Sequence, residues 1–241
     1  MYSNNEPHFF GRRQGRKIRK AKTSLLDRFL PKLEITPNTV LNKETLFGTE
    51  VKTICLEIGF GNGEHIAGQA LNNPETGFIG AEVFKNGVAN LLTLITGIKQ
   101  ADQVPETISL LPERVDNIRI YADDIRLLFA RLPDNFLDKV FLLFPDPWPK
   151  KRHAERRFVN PDNLKEIARI LKPNGLFRIA TDHPIYKTWV LHQMRNNTNF
   201  KWTATCGNDW KHPPYDWVET KYQRKAIREG RRPVFFEYKR L

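Results

Sequence analysis

The chain has 241 residues, of which 40% are hydrophobic, and it carries a formal net charge of +12 at pH 7. This composition is that of an ordinary globular protein, and the length suffices for a single α/β domain with its own core. The longest uninterrupted apolar run, residues 140–144, is far shorter than the roughly 20 residues that cross a bilayer as a helix. We therefore expect no transmembrane segment.

Cysteine and histidine spacing bears on the compartment and on metal binding. Cys55 and Cys206 lie too far apart for a CxxC pair, and no apolar stretch near residue 1 is similar to the core of a secretory signal. The six histidines are scattered, and none pairs with a cysteine or a second histidine at the spacing of metal ligands. We therefore predict a reducing, cytoplasmic location and no metal site.

The positive charge is concentrated in three short stretches. Residues 11–22 hold seven bases and no acid, residues 150–157 hold five bases and one acid, and residues 221–232 hold six bases and one acid. Such patches on an otherwise slightly acidic body favour a polyanionic partner. Nucleic acid fits better than a membrane surface, because residues 11–22 offer few apolar side chains to insert into lipid.

Two regions differ in their sequence pattern. Residues 1–35 are polar, basic and interrupted by proline and glycine, so we predict a flexible basic N-terminal arm followed by one domain, residues 36–241. In that domain, short apolar runs alternate with helix-length segments, which is typical of a parallel sheet covered by helices. Apolar residues at helical spacing predict helices over 86–100 and 162–171. The predicted strands are 52–59, 78–84, 118–122, 138–144 and 176–181.

The first predicted strand runs into a glycine-rich turn, EIGFGNG at residues 57–63. Such a turn between strand and helix lets a ligand approach the backbone closely, at the edge where open α/β sheets bind ligands. A dinucleotide fingerprint would require glycine at position 64, which is glutamate here, and no GK[ST] follows for a phosphate-binding loop. Because Glu57 and Glu64 would repel phosphate, the turn favours a ligand without pyrophosphate.

S-adenosylmethionine meets this requirement, because it carries a cationic sulfonium and an amino group but no phosphate. Glu82 closes the second predicted strand, where a carboxylate can accept both hydroxyls of a ribose. Asp123 follows the third predicted strand and is placed to meet the adenine amino group. Acids at the ends of three consecutive strands favour a cofactor site over simple solvation.

The fourth predicted strand runs into FPDPWPKKRH at residues 144–153. Prolines on both sides of Asp146 restrict the backbone, so we expect its carboxylate to be held rigidly at the carboxyl end of the sheet. Trp148 and a run of bases follow at once. A rigid acid beside bases favours a functional site over a structural turn.

Together, these motifs resemble the bacterial tRNA (guanine-N7-)-methyltransferase family. The resemblance covers most of the chain from Phe9 onwards and rests on LEIGFGNGE, AEVF, LFPDPWPKKRH, IATD and VETKY. It implies a class I S-adenosylmethionine-dependent methyltransferase fold, an α/β Rossmann-like fold whose mostly parallel seven-stranded sheet has one antiparallel strand and helices on both faces. It also implies methyl transfer from S-adenosylmethionine to N7 of a variable-loop guanosine of tRNA.

The resemblance further implies roles for individual residues. The cofactor contacts are expected to be Glu57, Gly59, Gly61, Gly63, Glu82 and Asp123. The catalytic acid is expected to be Asp146, and the substrate contacts Lys150, Asp182, Thr220, Lys221, Tyr222 and Gln223. We expect contacts to the tRNA backbone from Lys151, Arg152, Arg156 and Arg157. Two positions depart from the family pattern, because Asp124 stands where a small residue is usual and Gln223 stands where glutamate is usual.

Two other functions remain open from the sequence. Asp146, Pro147 and Trp148 are similar to the DPPW motif of amino methyltransferases that act on adenine or cytosine, although one proline is missing. The basic patches also fit a non-catalytic tRNA-binding protein, although that function leaves the glycine-rich turn and the strand-end acids without a role. Identification of the product nucleoside discriminates among the three. The sequence predicts no oligomeric state.

Overall fold

The computed structural model describes residues 7–48, 50–100 and 116–241. Its strands are β1 (Thr53–Ile58), β2 (Thr76–Ala81), β3 (Ile118–Tyr121), β4 (Leu137–Leu143), β5 (Leu171–Thr181), β6 (Phe200–Trp202) and β7 (Val234–Arg240). Its helices are α1 (Lys20–Arg28), α2 (Leu30–Leu33), α3 (Lys43–Phe47), α4 (Glu64–Asn72), α5 (Lys85–Thr96), α6 (Ile125–Phe129), α7 (Pro161–Ile170), α8 (Pro184–Arg195), α9 (Asn208–Lys211) and α10 (Lys221–Arg228). A 3-10 helix covers Lys151–Arg156.

In the described part of the chain, the seven strands form one sheet in the order β3-β2-β1-β4-β5-β7-β6. The pairs β1–β4, β2–β3 and β4–β5 are parallel, whereas β7 runs antiparallel to both β5 and β6. The predicted mostly parallel sheet with one antiparallel strand is therefore confirmed.

The largest boundary difference is in β5, which begins at Leu171 rather than at residue 176. Leu171 pairs with Leu137, and the register shifts between Leu137 and Lys139. The sequence predicted a turn at the Pro-Asn-Gly stretch, residues 173–175. In the structure this stretch lies within β5 and makes its pairing with β4 irregular.

Two compact units divide the chain. The first comprises residues 1–54 and 59–132, and the second comprises residues 55–58 and 133–241. The first unit contains the described helices from α1 to α6 together with β2 and β3. The second contains most of β1, the strands from β4 to β7 and the helices from α7 to α10.

In the first unit, the segment that follows the N-terminal bases is helical and partly buried. Leu25 and Leu26 of α1 are buried, and Leu33 of α2 is completely buried. Lys22 donates a hydrogen bond to Asn90 of α5. Residues 20–35 therefore differ from the flexible arm expected from the sequence, because leucines at helical spacing give this basic segment an apolar face that packs inward.

In the second unit, a buried charge lies on β5, between β4 and β7 in the sheet. Arg178 is 3% exposed, and it donates to Asp216 at 2.8 Å and to Glu237 of β7 at 2.7 Å. Lys139 of β4 donates to the other oxygen of Asp216 at 3.1 Å. Burial raises the pKa of the Asp216 carboxyl, but the charges and hydrogen bonds of Arg178 and Lys139 outweigh burial and hold that pKa below its ordinary value.

Among the residues that the structure describes, no helix has the length and apolar character needed to cross a membrane. The same residues contain no cluster of three or more His, Cys, Asp or Glu side chains suited to a metal ion. Burial raises the pKa of the Cys55 thiol to about 12, so this thiol stays protonated at neutral pH and is a poor nucleophile.

Leu25→Ala is expected to lower the free energy of unfolding by about 2–5 kcal/mol, because the leucine is fully buried and alanine leaves a cavity. The midpoint of urea unfolding measures the change. The control Asp27→Ala, at an exposed position of the same helix, is expected to shift the midpoint little. Equally small shifts for both variants would show that α1 adds nothing to the core.

Candidate active site

The turn that follows β1 contains three glycines in the left-handed backbone region. Their φ angles are +67° at Gly59, +58° at Gly61 and +83° at Gly63, which residues with a Cβ rarely adopt. A Cβ at Gly59 would point into open space. The turn therefore leads from β1 into α4 with backbone that a ligand can approach.

Two buried carboxylates flank this turn. Glu57 is the penultimate residue of β1 and is 3% exposed, and Glu82 directly follows β2 and is 8% exposed. One oxygen of Glu82, Oε2, accepts from Gly61 N at 2.7 Å, while Oε1 accepts from Phe84 N at 2.8 Å. Because a carboxylate oxygen can accept more than one hydrogen bond, Glu82 can fix the turn and still accept from ligand hydroxyls.

The support that α5 gives to the turn was not predicted from the sequence. A Cβ on Gly87 would lie 2.2 Å from the carbonyl oxygen of Gly61, so the helix reaches the turn only because residue 87 is glycine. Asn90, one helical turn later, donates to Asn62 at 3.0 Å. A glycine inside a helical apolar pattern was the signal available in the sequence.

The two acids after β3 have different surroundings. Both carboxylate oxygens of Asp124 accept hydrogen bonds from the Arg126 guanidinium. Asp124 Oδ1 also accepts from the backbone N–H of Arg126 at 3.0 Å and so caps α6. Asp123 is partly exposed, and its Oδ1 accepts from Asp124 N at 2.7 Å and from Arg13 Nη1 at 2.8 Å. Within the described ranges, Oδ2 of Asp123 has no hydrogen bond. Of the two acids, Asp123 therefore has an oxygen left for a ligand.

Some of the N-terminal bases contact this unit. Arg13 pairs with Asp123, and its carbonyl accepts from Lys85 N at 2.9 Å. Gly15 N donates to Asn86 at 2.9 Å, and Asn86 donates to the Arg16 carbonyl at 2.8 Å. The sequence predicted for these bases only a polyanionic partner, whereas in the structure part of the segment lies against the start of α5.

The loop after β4 places Asp146 between two residues with an uncommon backbone conformation. The φ angle is +51° at Phe144 and +43° at Trp148. For residues other than glycine such angles cost about 1–3 kcal/mol each and persist only where the surroundings enforce them. Asp146 itself is exposed. The loop therefore presents a carboxylate to solvent on a constrained backbone.

The basic residues after this loop divide into exposed and buried members. Lys150, Lys151 and Arg152 are exposed, whereas Arg156 is partly exposed with its guanidinium 5.2 Å from the Trp148 ring centroid. Arg157 is 5% exposed, and its guanidinium donates to the carbonyls of Pro147 at 3.1 Å and Trp148 at 2.9 Å. The sequence predicts a phosphate contact from Arg157, whereas in the structure this residue is buried and two of its guanidinium nitrogens donate to backbone carbonyls.

Asp182 follows β5 and lines a cavity of about 390 Å³. Its Oδ2 accepts from Arg231 Nε at 2.5 Å, and Arg231 also pairs with Glu229. Lys187 and His183 line the same cavity, and the buried Nδ1 of His183 has no hydrogen-bond partner in the part of the chain described. The cavity is open to solvent, and Pro184 and Val234 line it together with these charged and polar residues.

The stretch 220–223 opens α10. Thr220 Oγ1 accepts from Gln223 N at 3.1 Å and caps the helix, and the buried Gln223 accepts from Trp217 Nε1 at 2.5 Å. Lys221 and Tyr222 are exposed. Thr220 and Gln223 thus shape the helix start, whereas Lys221 and Tyr222 present side chains to the surface.

The contacts described bring together only some of the predicted site residues. Glu82 contacts Gly61, and Thr220 contacts Gln223. Asp146 and Asp182 lie in the same unit, but no hydrogen bond joins them among the described residues.

Solved structures of other methyltransferases share the fold. The 16S rRNA methyltransferase KamB matches with a TM-score of 0.55 and 16% identity, over 82% of this chain and 91% of that one. The antibiotic-resistance methyltransferase Kmr matches with a TM-score of 0.51 and 14% identity, again over 82% and 91%. At such low identity these likenesses show the class I methyltransferase fold alone.

Sequence relatives are much closer. The family model described as "Putative methyltransferase" matches residues 51–235. A protein of Paramagnetospirillum magneticum named tRNA (guanine-N(7)-)-methyltransferase is 43% identical, over 97% of this chain and 93% of the relative. A protein of the same name from Agrobacterium fabrum is 42% identical, over 95% and 94%. On this near full-length identity, the chain belongs to the tRNA (guanine-N(7)-)-methyltransferase family.

Proposed function

We propose that this protein transfers a methyl group from S-adenosylmethionine to N7 of a variable-loop guanosine in tRNA. The observation that carries the proposal is the 43% and 42% identity to near full-length relatives named for this reaction. Two local features support it, namely the glycine-rich turn flanked by acids and the exposed Asp146 on its constrained loop. With tRNA as substrate, we propose that the protein works in the cytoplasm.

The residues around the glycine-rich turn suit S-adenosylmethionine. In our proposal Glu82 holds the ribose hydroxyls, Oδ2 of Asp123 accepts from the adenine amino group, and the backbone of Gly59, Gly61 and Gly63 lies against the rest of the molecule. The acidic Glu57 favours a cationic ligand over a phosphate-bearing one. When bound, S-adenosylmethionine supplies the methyl group from a positively charged sulfur.

Asp146 acts on the guanine in this proposal. N7 carries a lone pair and no proton, so no residue of the chain has to remove a proton before transfer. The carboxylate accepts hydrogen bonds from the N1–H and N2–H groups of guanine and thereby orients the base. It also favours the positive charge that develops on the ring as N7 is alkylated. Asp146 is thus an orienting and electrostatic group rather than a general base.

Exposed bases of the second unit hold the tRNA in this proposal. Lys151, Arg152 and Arg156 contact backbone phosphates, and their contribution falls as salt rises. The guanosine and its neighbouring nucleotides are bound by Lys150, Asp182, Thr220, Lys221, Tyr222 and Gln223. Because Gln223 is a neutral amide that accepts from Trp217, it supplies no charge where the family usually has glutamate.

The proposal is tested by incubating the protein with labelled S-adenosylmethionine and unmodified bulk tRNA, then identifying the product nucleoside by chromatography and mass. We expect 7-methylguanosine. A methylated adenosine or cytidine would keep the cofactor and overturn the choice of base. Binding of tRNA without any transfer would favour a non-catalytic tRNA-binding protein.

Glu82→Gln is expected to weaken S-adenosylmethionine binding by about tenfold, because glutamine offers one acceptor oxygen where glutamate serves two backbone N–H groups and the ligand. Isothermal titration calorimetry measures the Kd. The control Glu75→Gln removes an exposed carboxylate of the same unit, paired with Lys52, and should leave the Kd unchanged. An unaltered Kd for Glu82→Gln would remove this residue from the cofactor site.

Asp146→Asn is expected to slow single-turnover methyl transfer by about a hundredfold, while the Kd values for tRNA and S-adenosylmethionine change little. Asparagine keeps the shape of the side chain but loses the charge. Rapid quenching at saturating concentrations of both substrates measures the rate. The control Asp162→Asn, exposed on α7, should react at the wild-type rate. If Asp146→Asn did so too, the carboxylate would have no part in the chemical step.

A further inference from the structure

We propose that Arg157 is a positioning residue for methyl transfer, which holds the backbone next to Asp146 so that the carboxylate keeps a fixed direction. This inference rests on the proposed function. Its starting observation is that a buried guanidinium, 5% exposed, donates to the carbonyls of Pro147 and Trp148, immediately after Asp146 in the chain.

The two carbonyls belong to the peptide groups on either side of the Trp148 Cα. Arg157 Nε donates to Pro147 O at 3.1 Å, and Nη2 donates to Trp148 O at 2.9 Å. Fixing both peptide planes fixes the dihedral angles between them, and φ at Trp148 is +43°. A residue keeps such an angle only where its surroundings enforce it, and these two hydrogen bonds supply that constraint.

Arginine suits this task better than lysine. The guanidinium is planar and presents its donors in a rigid fork, so one side chain reaches two acceptors in a set geometry. A lysine ammonium is a single point of charge on a flexible stem. Lysine at position 157 therefore keeps the charge but not the simultaneous hold on both carbonyls.

Arg157 is itself anchored. Its guanidinium lies 4.6 Å from the ring centroid of Trp189 on α8, and Trp189 Nε1 donates to the Val159 carbonyl at 2.6 Å. Val159 N donates to the hydroxyl of the fully buried Tyr186 at 3.4 Å. Burial raises the pKa of Tyr186, so its hydroxyl stays neutral. The backbone of Arg157 is also held, because its N–H donates a hydrogen bond to the Ala154 carbonyl at 3.1 Å.

These contacts form a chain from the helix α8 to the loop after β4. The helix α8 carries Trp189, the Arg157 guanidinium lies over the Trp189 ring, and Arg157 holds the backbone beside Asp146. Nε and Nη2 of Arg157 are engaged by backbone carbonyls, and the residue is 5% exposed, so a phosphate contact is not its main interaction. Arg157 therefore differs from the exposed Lys151 and Arg152, which the same basic run places at the surface.

Arg157→Lys distinguishes a residue that positions the loop backbone from a residue that contacts a tRNA phosphate. We expect single-turnover methyl transfer at saturating S-adenosylmethionine and tRNA to slow by about ten- to a hundredfold, because a shift of about 1 Å in a catalytic group has that cost. The Kd for tRNA and the slope of its logarithm against the logarithm of salt concentration should stay at the wild-type values. The control Arg195→Lys, exposed on α8, should change none of these quantities.

A double-mutant cycle identifies the group through which Arg157 acts. In an Asp146→Asn background, Arg157→Lys should slow transfer little further, since there is no carboxylate left to position. Trp189→Phe removes the hydrogen bond to Val159 and weakens the stacking under Arg157, so it should slow transfer less than Arg157→Lys and show the same dependence on Asp146. Unfolding midpoints check that each variant is folded, and Trp189→Phe carries the test if Arg157→Lys does not fold.

Three outcomes would overturn the inference. An unchanged saturated rate together with a weaker tRNA Kd and a salt slope smaller by about 0.7–1 would make Arg157 a phosphate contact. Unchanged rate and unchanged binding would leave it no role in the reaction. Full additivity with Asp146→Asn would show that it acts elsewhere. Failure of the wild-type protein to form 7-methylguanosine would instead reject the proposed function, and that result is known before any variant is compared.

Discussion

The burial of Arg178 constrains much of the second unit. A guanidinium taken out of water costs several kcal/mol unless acids pair with it, so the strand that carries it has to lie beside elements that supply carboxylates. One carboxylate comes from Glu237 on the antiparallel strand β7, directly opposite in register. The other comes from Asp216 in the segment that leads to α10. The Arg178 guanidinium on β5 thus links two elements to this strand: the antiparallel strand β7 and the segment that leads into α10.

The position of the stretch 220–223 follows from this pairing. Trp217 is adjacent to Asp216 and donates to Gln223 at 2.5 Å. Anchoring Asp216 therefore also places the indole that holds the first turn of α10. In the first unit a comparable role belongs to Glu82, which ties the glycine-rich turn to β2 through Gly61 N. In both units a carboxylate connects the sheet to the segment that carries the candidate site.

Much of the fold was predictable because it depends on local pattern. Apolar runs located the first five strands, and the acids that follow parallel strands, such as Glu82, Asp123 and Asp146, were predicted from their position at the strand ends. The failures have a common cause, since charge can be counted in a sequence but burial cannot. Arg157 was grouped with the exposed bases around it, and the leucines of α1 were outweighed by the basic residues before them. No sequence pattern predicts the left-handed backbone at Trp148, because side-chain contacts such as those from Arg157 enforce it.

The first unit is sensitive to any substitution of Gly87. Every missense change at this position adds a Cβ, and the atom that such a Cβ would meet at 2.2 Å is a backbone oxygen of Gly61. Backbone cannot rotate away as a flexible side chain does, so either α5 retreats or the glycine-rich turn is displaced. A mutation in a helix would then disable the turn without altering any of its residues. The contact therefore restricts position 87 of α5 to glycine, while the atom that imposes this restriction belongs to the backbone of the turn.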